Sequence, residues 1–252
     1  MQLRDTNALV TGATTGIGYA TAERFLTEGA ARVVVTGQHE QRLAAAAASL
    51  DADRTGRVVP VRWRAEEPAD ADVVVDAVRA GGPLDVLFAN AGVTWPAPVG
   101  AIEAVEAQRQ LMVNVTGPLM LVQALVPHIA DDGSVVLTTS CLDVLGMPGM
   151  AVYAASKAAV RSLTRTLQAE LQHRGIRVNA VAPGPVDTPI YSKLGMSDAD
   201  LAAMAEQMTS TVPAGRFAQA GEIAGAVTFL ASDSSRYVRG EEINVDGGWA
   251  TL

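Results

Sequence analysis

Short apolar runs alternate with amphipathic stretches along the whole chain. Ala8 to Val10, Arg32 to Val35, Val58 to Trp63, Asp85 to Ala89, Ser134 to Thr139, Arg177 to Val181 and Glu242 to Val245 read as strands. Most are continuous hydrophobic runs bounded by Gly, Asp or Asn, the pattern of strands buried on both faces. Helical stretches lie between them: one through about Thr27, then Gln41 to Leu50, Pro68 to Ala80, and Ala101 to about Pro127 with a bend near Gly117-Pro118. Further on, Val152, Ala155, Ala159, Val160, Leu163, Leu167 and Leu171 form an apolar stripe near the 3.6-residue period. Asp198 to Met208 and Ala220 to Ala231 complete the set, and Asp131-Asp132-Gly133 reads as a turn. This alternation predicts an α/β fold, a doubly wound parallel sheet of about seven strands with helices on both faces.

Composition narrows that picture. The chain has 252 residues, a length that suits one domain over 1–252 with a sizeable interior. Aromatics are only 4% of residues, so the core must be built from Ala, Val, Leu and Ile. A net charge of −8 without a basic run argues against a nucleic-acid partner. A lone Cys141 excludes an internal disulfide framework and fits a reducing, cytoplasmic setting. The start resembles no signal peptide, and no uninterrupted apolar run reaches the ~20 residues of a membrane span. His39, His128 and His173 are scattered without metal-ligand spacing, so no metal is expected.

Two stretches carry chemistry. The first strand runs into Thr11-Gly12-Ala13-Thr14-Thr15-Gly16-Ile17-Gly18 and then into a helix. Glycines let backbone approach a pyrophosphate, and a helix N-terminus presents free N–H groups and a positive dipole end. At the end of the second strand, Thr36-Gly37-Gln38-His39 occupies the place where a dinucleotide fold reads the adenosine ribose. An acid there selects NAD; none is present. Gln38, His39 or Arg42 would instead meet a 2′-phosphate, which favours NADP weakly over NAD. The second stretch is Tyr153-Ala154-Ala155-Ser156-Lys157. Tyrosine and lysine at i,i+4 share a helix face, and an ammonium beside a phenol lowers its pKa, so the pair can move a proton. Alone, the same pair also fits a solvated helix face.

Taken in register, these residues resemble the single-domain branch of the short-chain dehydrogenase/reductase family from end to end. The resemblance implies a Rossmann-type NAD(P)-binding fold and an oxidoreductase that moves hydride between a nicotinamide cofactor and a carbonyl or secondary alcohol. Gly12, Thr14, Thr15, Gly16, Ile17 and Gly18 are similar to its cofactor turn, with Gln38 at the ribose. Asn90-Ala91-Gly92 resembles its fourth-strand motif. Asn114, Ser140, Tyr153 and Lys157 match its catalytic tetrad in order and spacing. Pro183, Gly184 and Thr188 resemble the segment that holds the nicotinamide carboxamide. By this resemblance Ser140 binds the substrate oxygen, Tyr153 is the general acid/base, and Lys157 lowers the tyrosine pKa and binds the nicotinamide ribose. The backbone at Asn114 holds a water that links the lysine to solvent. The three residues between Tyr153 and Lys157 fit carbonyl reduction; enoyl-reductase relatives use a longer gap.

One departure is the absence of an acid around Arg62-Trp63-Arg64-Ala65, where the family places an Asp against adenine; Arg64 reaching the adenosine end is one alternative. Ala89 stands where a second Asn is common. Substrate contacts are expected from Leu142, Met147 and Met150, from the loop at Val93 to Pro98 with Trp95, and from a lid over about 186–214 that includes Ile190, Tyr191 and Met196. The same side chains also fit ordinary packing. The family's usual assembly is a homotetramer, with a dimer also possible. Alternative readings are a 3-oxoacyl-thioester reductase and a non-catalytic dinucleotide-binding regulator.

Overall fold

The structure is a computed structural model that describes residues 1–189 and 197–251. Seven parallel strands form one sheet: β1 (Asn7–Val10), β2 (Arg32–Gly37), β3 (Val58–Arg62), β4 (Leu84–Ala89), β5 (Ile129–Thr138), β6 (Arg177–Pro183) and β9 (Glu242–Val245), in the order β3-β2-β1-β4-β5-β6-β9. Two short strands, β7 (Val186–Asp187) and β8 (Ala218–Gln219), pair with each other. The helices are α1 (Gly16–Thr27), α2 (Glu40–Leu50), α3 (Ala71–Arg79), α4 (Ala104–Leu111), α5 (Gly117–Leu125), α6 (Ala151–Leu171), α7 (Asp198–Thr211) and α8 (Ala220–Ala231).

Strand side chains alternate between two cores. Ala8, Val10, Val33 and Val35 pack with Phe25, Leu43, Ile223 and Leu230 from α1, α2 and α8. Leu9 and Val34 point the other way, to Val74, Val78, Leu121, Val160 and Leu167 from α3, α5 and α6. Each such aliphatic side chain contributes roughly 1.5–3 kcal/mol by leaving water. Both faces are covered, which is why the strands read as continuous apolar runs.

From β1 the sheet grows outward through β2 and β3 on one side and through β4, β5, β6 and β9 on the other. The ends of β1 and β4 therefore flank the switch point, where an open parallel sheet leaves a crevice. Thr11 stitches the two together. Its Oγ1 accepts from the N–H groups of Asn90 (2.9 Å) and Ala91 (3.0 Å), while Asn90 Nδ2 donates to the Thr11 carbonyl at 3.1 Å.

Three expectations are corrected. The helix expected from Ala101 starts at Ala104, and its irregularity is a π-turn over Met112–Thr116, just before Gly117-Pro118. Pro118 falls near the start of α5, where a proline lacking N–H is tolerated. Asp131-Asp132-Gly133 lies inside β5 as an irregularity, with Asp132 at φ 62°; the strand register shifts between Leu84 and Val86. The run Ala104–His128 is also long and apolar enough to cross a membrane by length and composition, at a mean hydropathy of 1.3. Of this run Gln110, Val113, Asn114, Leu121, Val122 and Leu125 are buried in the protein.

Candidate active site

The glycine-rich turn is shaped by contacts that leave no room for side chains. Gly12 and Gly16 take left-handed φ values of 66° and 58°. A Cβ on Gly18 would run into the Gly12 carbonyl and lie 2.7 Å from Asn90 Nδ2. A Cβ on Gly16 would stand 3.1 Å from the Thr188 side chain, so Thr188 closes over the turn. No side chain caps the N-terminus of α1, which leaves the N–H groups of Gly16, Ile17 and Gly18 for an anion. Thr14 lies against Gly37 at the end of β2. This cradle fits a dinucleotide pyrophosphate and its adenosine half.

Gln38 and His39 are exposed beyond β2, and Arg42 is exposed in the first turn of α2. A residue missed by sequence reasoning joins them. Arg62 ends β3 in register with Gly37, and its Nε donates to the Gln38 carbonyl at 3.1 Å. Its Nη1 is 3.9 Å from Glu40. Arg64 does not reach the adenosine end. Asp70 takes it in a two-pronged pair, Nε–Oδ2 2.8 Å and Nη2–Oδ1 3.1 Å.

The four catalytic candidates come from three elements that meet at the carboxyl end of the sheet. Ser140 follows β5 and is buried; its Oγ accepts from Leu142 N–H at 3.2 Å, capping the single 3-10 turn Cys141–Asp143. Tyr153 stands in the first turn of α6, close enough to Ser140 for the serine to pull its pKa down. Lys157, one turn on, is buried and donates to the Thr138 carbonyl at 2.8 Å. Asn114 sits in the π-turn, 2% exposed. Its Oδ1 accepts from Val93 N–H (2.8 Å) while Nδ2 donates to Val93 O (2.9 Å) and Ser156 Oγ (3.0 Å). Ser156 in turn donates to the Tyr153 carbonyl at 2.7 Å. Asn114 is thus tied through Ser156 to the turn that carries Tyr153. A small cavity is lined by Ala91, Asn114, Thr138, Lys157 and Val160 among others.

The electrostatics correct one expectation. Lys157 does not hold the Tyr153 phenol at a depressed pKa. Burial pushes Tyr153 up to about 12, with Ser140 pulling the other way. Lys157 is itself pushed down to about 8 by burial. Its Nζ lies 5.7 Å from the Tyr153 ring centroid and spends a bond on Thr138 O. The phenol therefore keeps its proton as the site stands, with Ser140 as the neighbour that opposes the shift.

A family profile described as enoyl-(acyl carrier protein) reductase matches residues 12–250. The glucose 1-dehydrogenase of Gluconobacter oxydans (strain 621H) is 37% identical over 95% of this chain and 90% of its own. The crystal structure of levodione reductase superposes over 100% of both chains with a TM-score of 0.93 at 28% identity. A blue fluorescent protein from a metagenomic library, solved with NADPH, covers 100% of both at a TM-score of 0.90 and 32% identity. The chain is a short-chain dehydrogenase/reductase. As a member of that family it is a nicotinamide-dependent oxidoreductase that acts on carbonyl and alcohol groups.

The remaining candidates of this dehydrogenase/reductase are unevenly placed. Gly92 is exposed beside the site, where a Cβ would lie 3.6 Å from Lys157 Nζ. Pro183 ends β6, and Gly184 packs so tightly on Asp246 that a Cβ would sit 2.6 Å from its Cα. Leu142 is buried, Met147 and Met150 are half-buried, and Thr94 Oγ1 is 3.7 Å from Met150 Sδ. Trp95 is held by its backbone N–H, which donates to Gln110 Oε1 (2.6 Å), and by Arg109 at 5.0 Å over its ring. Ile190, Tyr191 and Met196 lie outside the described residues. Cys141 is buried and its thiol pushed up to about 12 by desolvation, so it is no nucleophile. Thr11, Thr138 and Ser156 were missed as site residues, since their partners Asn90, Lys157 and Asn114 come from elements far away in the sequence.

Proposed function

We propose that this enzyme is an NADPH-preferring carbonyl reductase in which Tyr153 is the general acid/base. The observation that carries the reading is the meeting of Ser140, Tyr153 and the buried Lys157 at the carboxyl end of the sheet. When bound, the nicotinamide supplies the hydride. The Ser140 hydroxyl donates to the substrate carbonyl and fixes it beside the Tyr153 phenol. Tyr153, kept protonated by burial, gives its proton to the carbonyl oxygen as negative charge develops there. Lys157 has donors to spare after Thr138, which would hold the nicotinamide ribose and steady the phenolate left behind. Asn114 holds the first turn of α6 through Ser156. Gly12, Thr14, Thr15, Gly16, Ile17 and Gly18 cradle the pyrophosphate, Asn90, Ala91 and Gly92 line the adenosine side, and Pro183, Gly184 and Thr188 hold the carboxamide end.

The NADP preference draws support from Arg62, a guanidinium on the Gln38 carbonyl where no acid stands at position 38. The substrate is an apolar ketone, held by Leu142, Met147, Met150 and Trp95 under a lid over 186–214. The whole chain works as one catalytic domain, in a cytoplasmic homotetramer; Val105 and Leu111 on α4 are exposed apolar residues available to such an assembly.

Parallel fluorescence titrations with NADPH and NADH test the reading. NADPH is expected to bind more tightly, and Arg62→Ala to weaken it about tenfold, or ~1.4 kcal/mol, with NADH unmoved. Tighter NADH binding would overturn the cofactor preference, and binding of neither would overturn the enzyme reading. Turnover is followed as NADPH oxidation with cyclohexanone as probe.

A further inference from the structure

Behind Ser140 lies a charge cluster that the chemistry above does not use. Asp143 closes the 3-10 turn that Ser140 caps. Its side chain is 0% exposed, and neither carboxylate oxygen meets a hydrogen-bond donor. Glu242, the first residue of β9, is 11% exposed at its side chain, and its Oε1 is equally unmet. The two carboxyl groups face the same guanidinium and sense each other, while the Thr139 hydroxyl donates to the Val181 carbonyl at 3.0 Å. One cation serves both. Arg161 Nε, from α6, stands 3.0 Å from Glu242 Oε2 and 3.8 Å from Asp143 Oδ2, without the alignment of a hydrogen bond. The other titratable groups around the cluster are Cys141 in the intervening turn, whose thiol senses Asp143, and Asp246 after β9, which Cys141 also senses.

Two ionised carboxylates beside one guanidinium leave an uncompensated negative charge in an enclosed place, and like charges in contact disfavour double ionisation. A single proton between them converts two unmet acceptors into a donor and an acceptor, and leaves one carboxylate for Arg161. We propose that Asp143 and Glu242 share one proton and, with Arg161, act as positioning residues that pin the Ser140 turn to the start of β9. The link to catalysis rests on the role given to Ser140 above; the proton sharing does not.

Burial, joined by the Asp143 contact, pushes Glu242 up from its ordinary 4.5 to about 7. A carboxyl raised in the folded state stabilises fully below its unfolded value, and that contribution is lost as pH rises through the folded one. The window here is about pH 4.5 to 7. Above it the shared proton is lost, and repulsion across the pair loosens the turn.

Infrared difference spectra of the full chain across this window test the sharing directly. A protonated-carboxyl band is expected to persist to near neutrality, bleach above it, and disappear in both Asp143→Asn and Glu242→Gln. Asp143→Asn substitutes a permanent amide donor for the proton, so its melting temperature is expected to stay flat where the wild type loses on the order of 5 °C. Hydrogen exchange in the peptide spanning Ser140 to Leu145 reads the positioning. Corrected for intrinsic rates, it is expected to accelerate above neutral pH in the wild type and in Asp143→Ala, with Asp143→Asn restoring protection. The kcat for cyclohexanone is expected to fall about tenfold in Asp143→Ala, with KM for NADPH unchanged. A missing infrared band, or an Asp143→Asn melting profile parallel to the wild type's, would falsify the shared proton. Exchange at the Ser140 turn that ignores both pH and Asp143→Ala overturns the positioning role. Tyr153→Phe, assayed alongside, separates the two ideas: turnover retained there removes the catalytic reading and leaves the infrared and exchange results to judge the pair.

Discussion

Arg177 and Lys157 are both 4% exposed, yet the protein treats these two buried cations differently. Arg177 opens β6 and is surrounded by acceptors. Nη1 donates to Leu230 O and Ser235 Oγ, each at 2.7 Å, and Nη2 to Ser232 O at 3.2 Å. Lys157 has one hydrogen bond among the described residues, to Thr138 O, and an ammonium has three donors. A buried charge whose two terminal nitrogens are both held by acceptors belongs to the scaffold. A buried charge left short of partners marks a place where a ligand completes the shell. Burial lowers both pKa values, but only the lysine comes down far enough, to about 8, to titrate near neutrality.

The sharpest way to break this contrast is to remove the reacting group itself. Tyr153→Phe is expected to cut turnover by ~10²–10⁴-fold while unfolding stays as in the wild type; NADPH oxidation and a melting curve suffice. Lys157→Met should lose activity to a similar degree without losing stability, because it removes a costly buried charge. Arg177→Met should do the reverse. Orphaning the carbonyls it serves is expected to cost about 3 kcal/mol, or ~10 °C in melting temperature, with kcat of the folded fraction unchanged. If Arg177→Met is instead stable and inactive, the division into scaffold and ligand cations is wrong.

The smallest effect is a pH dependence. The folded value of Lys157 is depressed, so the folded state carries the cost of its charge below about pH 8. Between about 8 and the ordinary 10.5 the unfolded chain binds more protons, and stability rises with pH. Urea unfolding of the cofactor-free protein at two pH values in that range is expected to show a gain of up to about 3 kcal/mol. Lys157→Met should flatten it; an unchanged slope in that variant would assign the gain to another group.

Much of this was legible along the chain because it is local. The seven apolar runs became the seven strands of the sheet, since both faces are covered and no alternation was needed. The glycine turn was readable because a left-handed φ and a close approach demand glycine wherever the strand leads. The stripe on α6 was partly misread. Ala155 is exposed, and the buried face carries Ser156, Lys157, Thr164 and Gln168. Gln168 is buried because it closes on backbone, donating to Ile176 O and accepting from Val178 N–H. Hydrophobic periodicity does not register such partners. The acceptor of Lys157, the Arg62 contact on Gln38, and the meeting of Asp143 with Glu242 depend on strand register and on neighbours far apart in sequence, so no local pattern announces them.

The π-turn at Met112–Thr116 gives the chain between β4 and β5 an unusual kind of slack. A wide turn is a spiral with one residue more than it needs. Taking that residue out would let α4 and α5 join as one regular helix, and the apolar side chains of α5 would still have a sheet to cover. The residue that would lose its post is Asn114, whose grip on Val93 and Ser156 depends on the widened backbone. Here the geometry that makes the helix less regular is the geometry that aims the Asn114 amide, and shortening the chain by one residue would restore the spiral at the expense of the aim.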